Sequence, residues 1–247
     1  MRIVVTGRAW RACAAVAIAA ALLTAGCGGV LKTQYEYEEE LYPALDGSAT
    51  VYVNASVPAL VALRAADLDV NPRARLDRSR VRALFMATAV KVATPSTSRR
   101  NGRRFVHVRI DTNDLRNLAT VAPLAWSRYR FDRREGVFEF GQKVGVAAGR
   151  PVGDVGWTGK ELVAFRVHVP SRIQFHNSPT DIRRGNILAW EQPLAERLRG
   201  APLDLQVRME TESILFRTLL LFASTILAAI LTFGLVVWWM ARGDSRQ

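Results

Sequence analysis

Leu162-Val163-Ala164-Phe165-Arg166-Val167-His168-Val169-Pro170 is the stretch on which the fold class turns. Val163, Phe165, Val167 and Val169 fall on one side of an extended chain, with Arg166 and His168 on the other. Side chains two apart share a strand face, so the alternation predicts a half-buried strand, which Pro170 closes because it brings no N–H to a ladder. Downstream, residues 172–176, 186–191 and 203–210 read as short strands separated by Asn177-Ser178-Pro179, Arg184-Gly185-Asn186 and Gly200-Ala201-Pro202. Antiparallel pairing is the expected arrangement.

Upstream, Thr50-Val51-Tyr52-Val53-Asn54-Ala55-Ser56-Val57 reads as a strand after the turn Asp46-Gly47, and Pro58 opens a short helix over residues 59–68. Residues 77–92 read as a helix with Asp77 as N-cap and Val81, Leu84, Phe85 and Thr88 on one stripe. A loop over 94–102 precedes a strand over 103–111, and Thr112-Asn113-Asp114 caps a short helix reaching Thr120. Tyr129-Arg130-Phe131 and Val137-Phe138-Glu139-Phe140 predict a hairpin around a five-residue loop, residues 132–136. In the glycine-rich stretch 141–159 no glycine precedes a Lys-Ser or Lys-Thr helix start, so it reads as a loop. The expectation is an α+β domain over residues 48–212, β-rich, with antiparallel strands and two or three short helices covering one face of a sheet. Residues 27–47, with the acidic run Glu36-Tyr37-Glu38-Glu39-Glu40, read as a solvated spacer or the start of that domain.

Two apolar segments flank the domain. Arg2, Arg8 and Arg11 precede an Ala-, Val-, Ile- and Leu-rich run over 12–25, the pattern of a secretory signal. It ends in Leu22-Leu23-Thr24-Ala25-Gly26-Cys27, which resembles the lipobox of bacterial lipoproteins and departs from its commonest form at Thr24. The resemblance implies a signal peptide over 1–26 and a palmitate-type acyl anchor on Cys27. An ordinary signal peptide cut elsewhere, or an uncleaved N-terminal anchor, is the alternative, and export follows in each case. Cys13 is the only other cysteine, so the mature chain has no disulfide or thiolate metal cage. Residues 218–240 carry no charge, and 23 residues at about 1.5 Å each span roughly 34 Å, enough to cross a bilayer. A transmembrane helix is therefore expected over 215–240, with Trp238 and Trp239 at its far interface and a cytoplasmic tail over 241–247 that holds Arg242 and Arg246 against Asp244.

The block from 162 to 209 resembles the LppM-type lipoprotein domain of bacterial envelope proteins. The residues that carry the resemblance are Val167-His168-Val169-Pro170, His176-Asn177-Ser178, Gly185-Asn186-Ile187-Leu188-Ala189-Trp190 and the alternating Leu203-Asp204-Leu205-Gln206-Val207-Arg208. The chain departs from it at Ser171, where that family usually has glycine. The resemblance implies a non-catalytic α+β envelope domain that contacts lipid, and it transfers no catalytic residue.

The formal charge is +12; without Arg2, Arg8, Arg11, Arg217 and the tail, about +7 remains on the domain. Such a field attracts anionic lipids or acidic envelope polymers. Nucleic acid is excluded as a partner because the domain lies on the wrong side of the membrane. Arginines concentrate at 73–82, 99–104 and 128–134, and Arg99, Arg100, Arg103, Arg104, Arg128, Arg130, Arg133 and Arg134 are the candidate anionic-surface residues, on loop tips that can point the same way.

Catalytic chemistry is sparse. There is no G-x-S-x-G elbow, and His107, His168 and His176 form no His-x-His or HExxH pair, so no catalytic residue, metal site or cofactor is assigned. His107 and His168 both sit on polar strand faces and could meet through neighbouring strands. Trp126, Trp157 and Trp190 read as core or loop plugs rather than sugar platforms. The expected function is that of a non-enzymatic, membrane-held envelope lipoprotein, single-pass and lipid-anchored, binding an anionic lipid, a glycolipid or a membrane-protein partner at the surface. The alternative is an envelope hydrolase acting on peptidoglycan or lipid without a recognisable motif.

Overall fold

The alternating residues 162–168 become an interior strand of a mixed sheet. The structure is a computed structural model that describes residues 34–180 and 186–243. In chain order the strands are β1 (Tyr35–Pro43), β2 (Ala49–Ser56), β3 (Val90–Val92), β4 (Ser96–Arg100), β5 (Arg103–Thr112), β6 (Ser127–Arg134), β7 (Val137–Val144), β8 (Leu162–His168), β9 (Ser171–His176), β10 (Ile187–Pro193) and β11 (Leu203–Ser213). The helices are α1 (Val57–Arg64), α2 (Arg78–Phe85), α3 (Leu194–Leu198) and α4 (Ile214–Gly243), with a 3-10 turn at Leu115–Thr120. The larger sheet runs β10-β8-β1-β2-β5, with β3 and β4 both on the outer edge of β5. The smaller runs β6-β7-β11-β9. The class is α+β.

Each inner row follows from a period of two: Tyr37, Glu39 and Leu41 on β1, Val51, Val53 and Ala55 on β2, Val106, Val108 and Ile110 on β5, and Val163, Phe165 and Val167 on β8 are all buried. Tyr129, Phe140, Val144, Leu205, Val207 and Met209 supply the facing row from the smaller sheet, and both rows belong to one apolar core. From Tyr35 onward the chain forms one compact unit.

Several local expectations shift. α1 ends at Arg64, short of residue 68, because Ala65 turns left-handed (φ 51°) and its N–H closes on Leu60 and Val61 carbonyls. Its start is as the sequence suggests, with Ser56 Oγ accepting the Ala59 N–H at 3.1 Å. Asp77 does cap α2, accepting the Ser79 N–H at 2.8 Å, but α2 stops at Phe85 and residues 90–92 become β3, whose ladder to Thr112, Asp111 and Ile110 outweighs helix propensity. The β6–β7 connection is Glu135-Gly136, both at positive φ (47° and 80°), a two-residue turn rather than a five-residue loop. Pairing is not wholly antiparallel, because β1 and β8 run parallel.

The largest correction is the acidic run. It is no spacer: Glu36 to Glu40 lie in β1, hydrogen-bonded to β8 on one side and β2 on the other. A register shift between Tyr35 and Tyr37 brings Tyr35 onto the outward face with Glu38, and Glu36 and Glu39 are buried. Burial of a carboxylate is tolerable only with partners, and Glu39 has three: it accepts from Tyr129 Oη at 2.7 Å, Gln142 Nε2 at 2.7 Å and Tyr37 Oη at 3.1 Å.

β11 runs directly into α4. Ile214 N–H donates to Pro170 O at 3.2 Å, tying the helix start to the β8–β9 corner. Ile214–Trp239 is apolar and long enough to cross a membrane, and its apolar side chains are exposed rather than packed on the domain. The segment 1–33, with Cys13 and Cys27, and the end of the tail lie outside the described residues.

Candidate functional site

Arg103 and Arg104 are neighbours on β5, so their side chains leave opposite faces of the sheet. Asn101 and Gly102 hold φ of 50° and 74°, the left-handed pair of a tight hairpin, and set Arg99 opposite Arg104 and Arg100 opposite Arg103. Arg103 turns to Glu36, with Nη2 3.0 Å and Nε 3.1 Å from Oε1, and its Nη1 donates to Gly156 O at 2.8 Å. Arg104 turns the other way, donating through Nη1 to Ala74 O at 2.9 Å and through Nη2 to Asp69 O. It thereby holds the segment 69–77 beside the β4–β5 hairpin.

That hold creates an open cleft of about 1120 Å³ between the hairpin and the start of α2. Arg73, Arg75, Arg78, Arg99 and Arg104 line it against one carboxylate, Asp77, with Ser79, Thr97 and Ser98 supplying hydroxyls. Among the described residues, none of Arg73, Arg75, Arg78 and Arg99 has a carboxylate oxygen within 4.0 Å. Asp77 is spent on α2: the Ser79 hydroxyl and N–H hold its carboxyl below the usual range, with Arg75 adding to the effect. Burial pushes the Arg104 guanidinium down, Asp69 offsets this in part, and Arg99 pushes in the same direction as burial. Arg104 Nε is buried without a hydrogen-bond partner. Guanidinium forks match phosphate and carboxylate bidentately, and four exposed ones, those of Arg73, Arg75, Arg78 and Arg99, stand here against one occupied counter-charge.

Of the arginines expected from sequence, Arg99 and Arg104 enter this cleft, joined by Arg73, Arg75 and Arg78 from the group at 73–82. Arg103 is buried and Arg100 half-buried, its Nη2 donating to Tyr35 O at 2.7 Å. Arg128, Arg130, Arg133 and Arg134 are exposed on β6, but Arg130 faces Glu139 at 3.4 Å and Asp132 at 3.8 Å. The two groups do not share an end of the larger sheet. Phe131 and Phe138 of the β6–β7 hairpin lie at the Gly47 turn, whose carbonyl accepts the Leu115 N–H at 2.9 Å, just beyond the Thr112 end of β5. Arg104 is at the other end, about 26 Å away along the strand. Three arginine runs were legible in sequence, but which of them meet depended on strand direction.

The histidines do not converge. β8 and β5 are three strand spacings apart, about 14 Å, so His107 and His168 stay separate. His168 Nε2 lies 2.6 Å from Glu40 Oε1 and its ring stacks on Tyr42 at 3.8 Å, while His107 bonds Asn54 and Ser98. Burial, then Arg100, lowers the His107 pKa. Trp126 and Trp190 are core residues, and Trp157 is half-buried with Nε1 donating to Glu36 Oε2 at 3.2 Å. Among the described residues no three of His, Cys, Asp and Glu are grouped to hold a metal.

No family model and no curated protein matches the chain. Among solved structures, the NMR structure of the folded domain of the Mycobacterium tuberculosis LppM protein is similar, with a TM-score of 0.39 and 13% identity over 74% of this chain and 94% of that one. The likeness is distant.

Proposed function

We propose that the chain is a membrane-anchored envelope lipoprotein without catalytic activity whose domain binds an anionic envelope ligand, such as a lipid or glycolipid head group, in the arginine cleft. The observation that carries this reading is four exposed guanidiniums, those of Arg73, Arg75, Arg78 and Arg99, lining one cleft against a single carboxylate that already caps a helix. Helix Ile214–Trp239 supports the membrane anchor: its exposed leucines, isoleucines and phenylalanines are stable only in an apolar surrounding. Acylation of Cys27 and an extracytoplasmic domain complete the reading. Arginines rather than His, Asp or Glu converge in the cleft, which favours binding over hydrolysis.

Titration of the full chain in neutral detergent micelles with inorganic polyphosphate tests the cleft. Arg75→Glu/Arg99→Glu is expected to weaken binding at least tenfold and to lessen its salt dependence, and unchanged binding would refute the assignment. Mass spectrometry of the mature N-terminus tests the lipid anchor, which an unmodified Cys27 thiol would exclude.

A further inference from the structure

The cleft and the start of α4 occupy opposite ends of the larger sheet. Pro170, whose carbonyl receives the Ile214 N–H, follows β8 at the end where Val167 pairs with Leu41, Leu41 with Val51 and Val51 with Ile110. That is the Thr112 end of β5. Arg99 and Arg104 sit at the opposite end, beside the Asn101-Gly102 turn. Eight residues of β5 separate the two levels, about 26 Å at the rise of a strand.

The link between domain and membrane is short. β11 is paired to β7 as far as Glu210, Ser213 pairs with Ser171 on β9, and α4 begins at the next residue. No free segment is left between the last strand pairing and the helix for the domain to turn over on. An arginine side chain reaches only a few ångströms, and a surface charge is screened within about 8 Å at physiological ionic strength. The lipid head groups around α4 therefore lie beyond the reach of both the cleft's hydrogen bonds and its field. Cys27, eight residues before Tyr35 at the cleft end of β1, can still meet the same leaflet, because eight extended residues span up to about 29 Å.

We propose that the cleft takes a phosphate-bearing polyanion that approaches from the side away from the host bilayer, and that the head groups of the leaflet entered by α4 do not occupy it. This rests on the anion-binding reading above and names the ligand's class and direction. A cleft of about 1120 Å³ exceeds what one phosphate fills, and its lining joins the exposed Arg73, Arg75 and Arg78 at the start of α2 to Arg99 of the β4–β5 hairpin, while Arg104 is spent on the Asp69 and Ala74 carbonyls. A chain of linked phosphates running between the walls satisfies several forks at once, and each contact adds to the salt dependence of binding.

The full chain reconstituted in nanodiscs of phosphatidylcholine alone, or with one-third phosphatidylglycerol, and titrated with inorganic polyphosphate at physiological salt, separates the outcomes. Affinity is expected to agree within about twofold between the two discs and to fall at least tenfold in Arg75→Glu/Arg99→Glu, with Arg75→Lys/Arg99→Lys in between. Cleft-dependent binding that drops more than fivefold in phosphatidylglycerol discs means that host head groups compete for the cleft, which overturns the direction while leaving the anion reading intact. Loss of binding in neither arginine variant, each shown folded by circular dichroism, overturns the anion reading itself. Tight cleft-dependent binding of monomeric phosphate, with no gain for the polymer, overturns the polyanion class.

Discussion

Glu36 and Arg103, 67 residues apart in the chain, form a buried ion pair with Nη2 3.0 Å from Oε1, and neither side chain is more than 6% exposed. Arg103 also donates to the Val155 and Gly156 carbonyls, and the second Glu36 oxygen receives Trp157 Nε1, so the pair fastens the glycine-rich stretch to β1 and β5. Removing one partner strands a buried charge. Arg103→Met is expected to destabilise the chain by about 3–5 kcal/mol, while Glu36→Gln/Arg103→Met recovers a large part of the loss. Chemical denaturation in micelles followed by near-ultraviolet circular dichroism measures both, and a double variant no better than the single would show that the pair is not what fails.

Glu39 predicts a pH dependence. Burial pushes its carboxyl above the ordinary 4.5, and the hydrogen bonds from Tyr129, Gln142 and Tyr37 pull it only partly back. The folded chain therefore binds this proton more tightly than the unfolded chain does. Its contribution is fully present below the unfolded pKa and is lost as pH rises through the folded one. Glu39→Gln cannot ionise, so its stability should fall less than that of the parent over the same window above about pH 4.5. Unfolding midpoints across that range decide it, and parallel curves would mean that the carboxyl titrates normally.

Gly145 donates its N–H to Trp126 O at 2.6 Å, and a Cβ there would stand 2.7 Å from the same oxygen. Neither backbone can yield without opening the contact, and Arg197, fully buried, also donates to the Gly145 carbonyl. Gly145→Ala is expected to cost about 1–3 kcal/mol, as overpacking does. Gly149→Ala, at a positive φ with open space around it, separates strain from crowding. A midpoint for Gly145→Ala equal to that of the parent would show that the loop has room to move.

Arg133 and Arg134 flank the β6–β7 turn, and the turn follows the Glu210–Val137 pair, so it lies about 10 Å along the strand direction from the start of α4. At that level each exposed arginine is worth about 1 kcal/mol to an anionic leaflet. Hydrogen exchange at Val137 and Phe138 is expected to slow several-fold in phosphatidylglycerol discs relative to phosphatidylcholine discs, and Arg133→Glu/Arg134→Glu should abolish the difference. Equal exchange in the two discs would place the turn away from the head groups.

What the sequence determined by itself was local. The alternation at Val163, Phe165 and Val167, the uncharged residues 218–240 and the Asp77 cap are properties of a few neighbouring residues, and they reappear as β8, the apolar helix and α2. The tertiary structure alone decided the place of the acidic run and which arginines meet. A row of glutamates reads as solvated because its neighbours offer few donors, only Tyr37 for Glu39, and in the fold the other donors come from far away, Arg103 to Glu36 and Tyr129 and Gln142 to Glu39 across 90 and 103 residues. The same holds for the cleft, because the direction of β5 sets Arg99 and Arg104 at one end of the sheet and the Arg133–Arg134 turn at the other. Local pattern encodes which face a residue takes on its own element, whereas long-range pairing decides what that face meets, because a buried charge is stable only beside a partner that the chain brings from elsewhere.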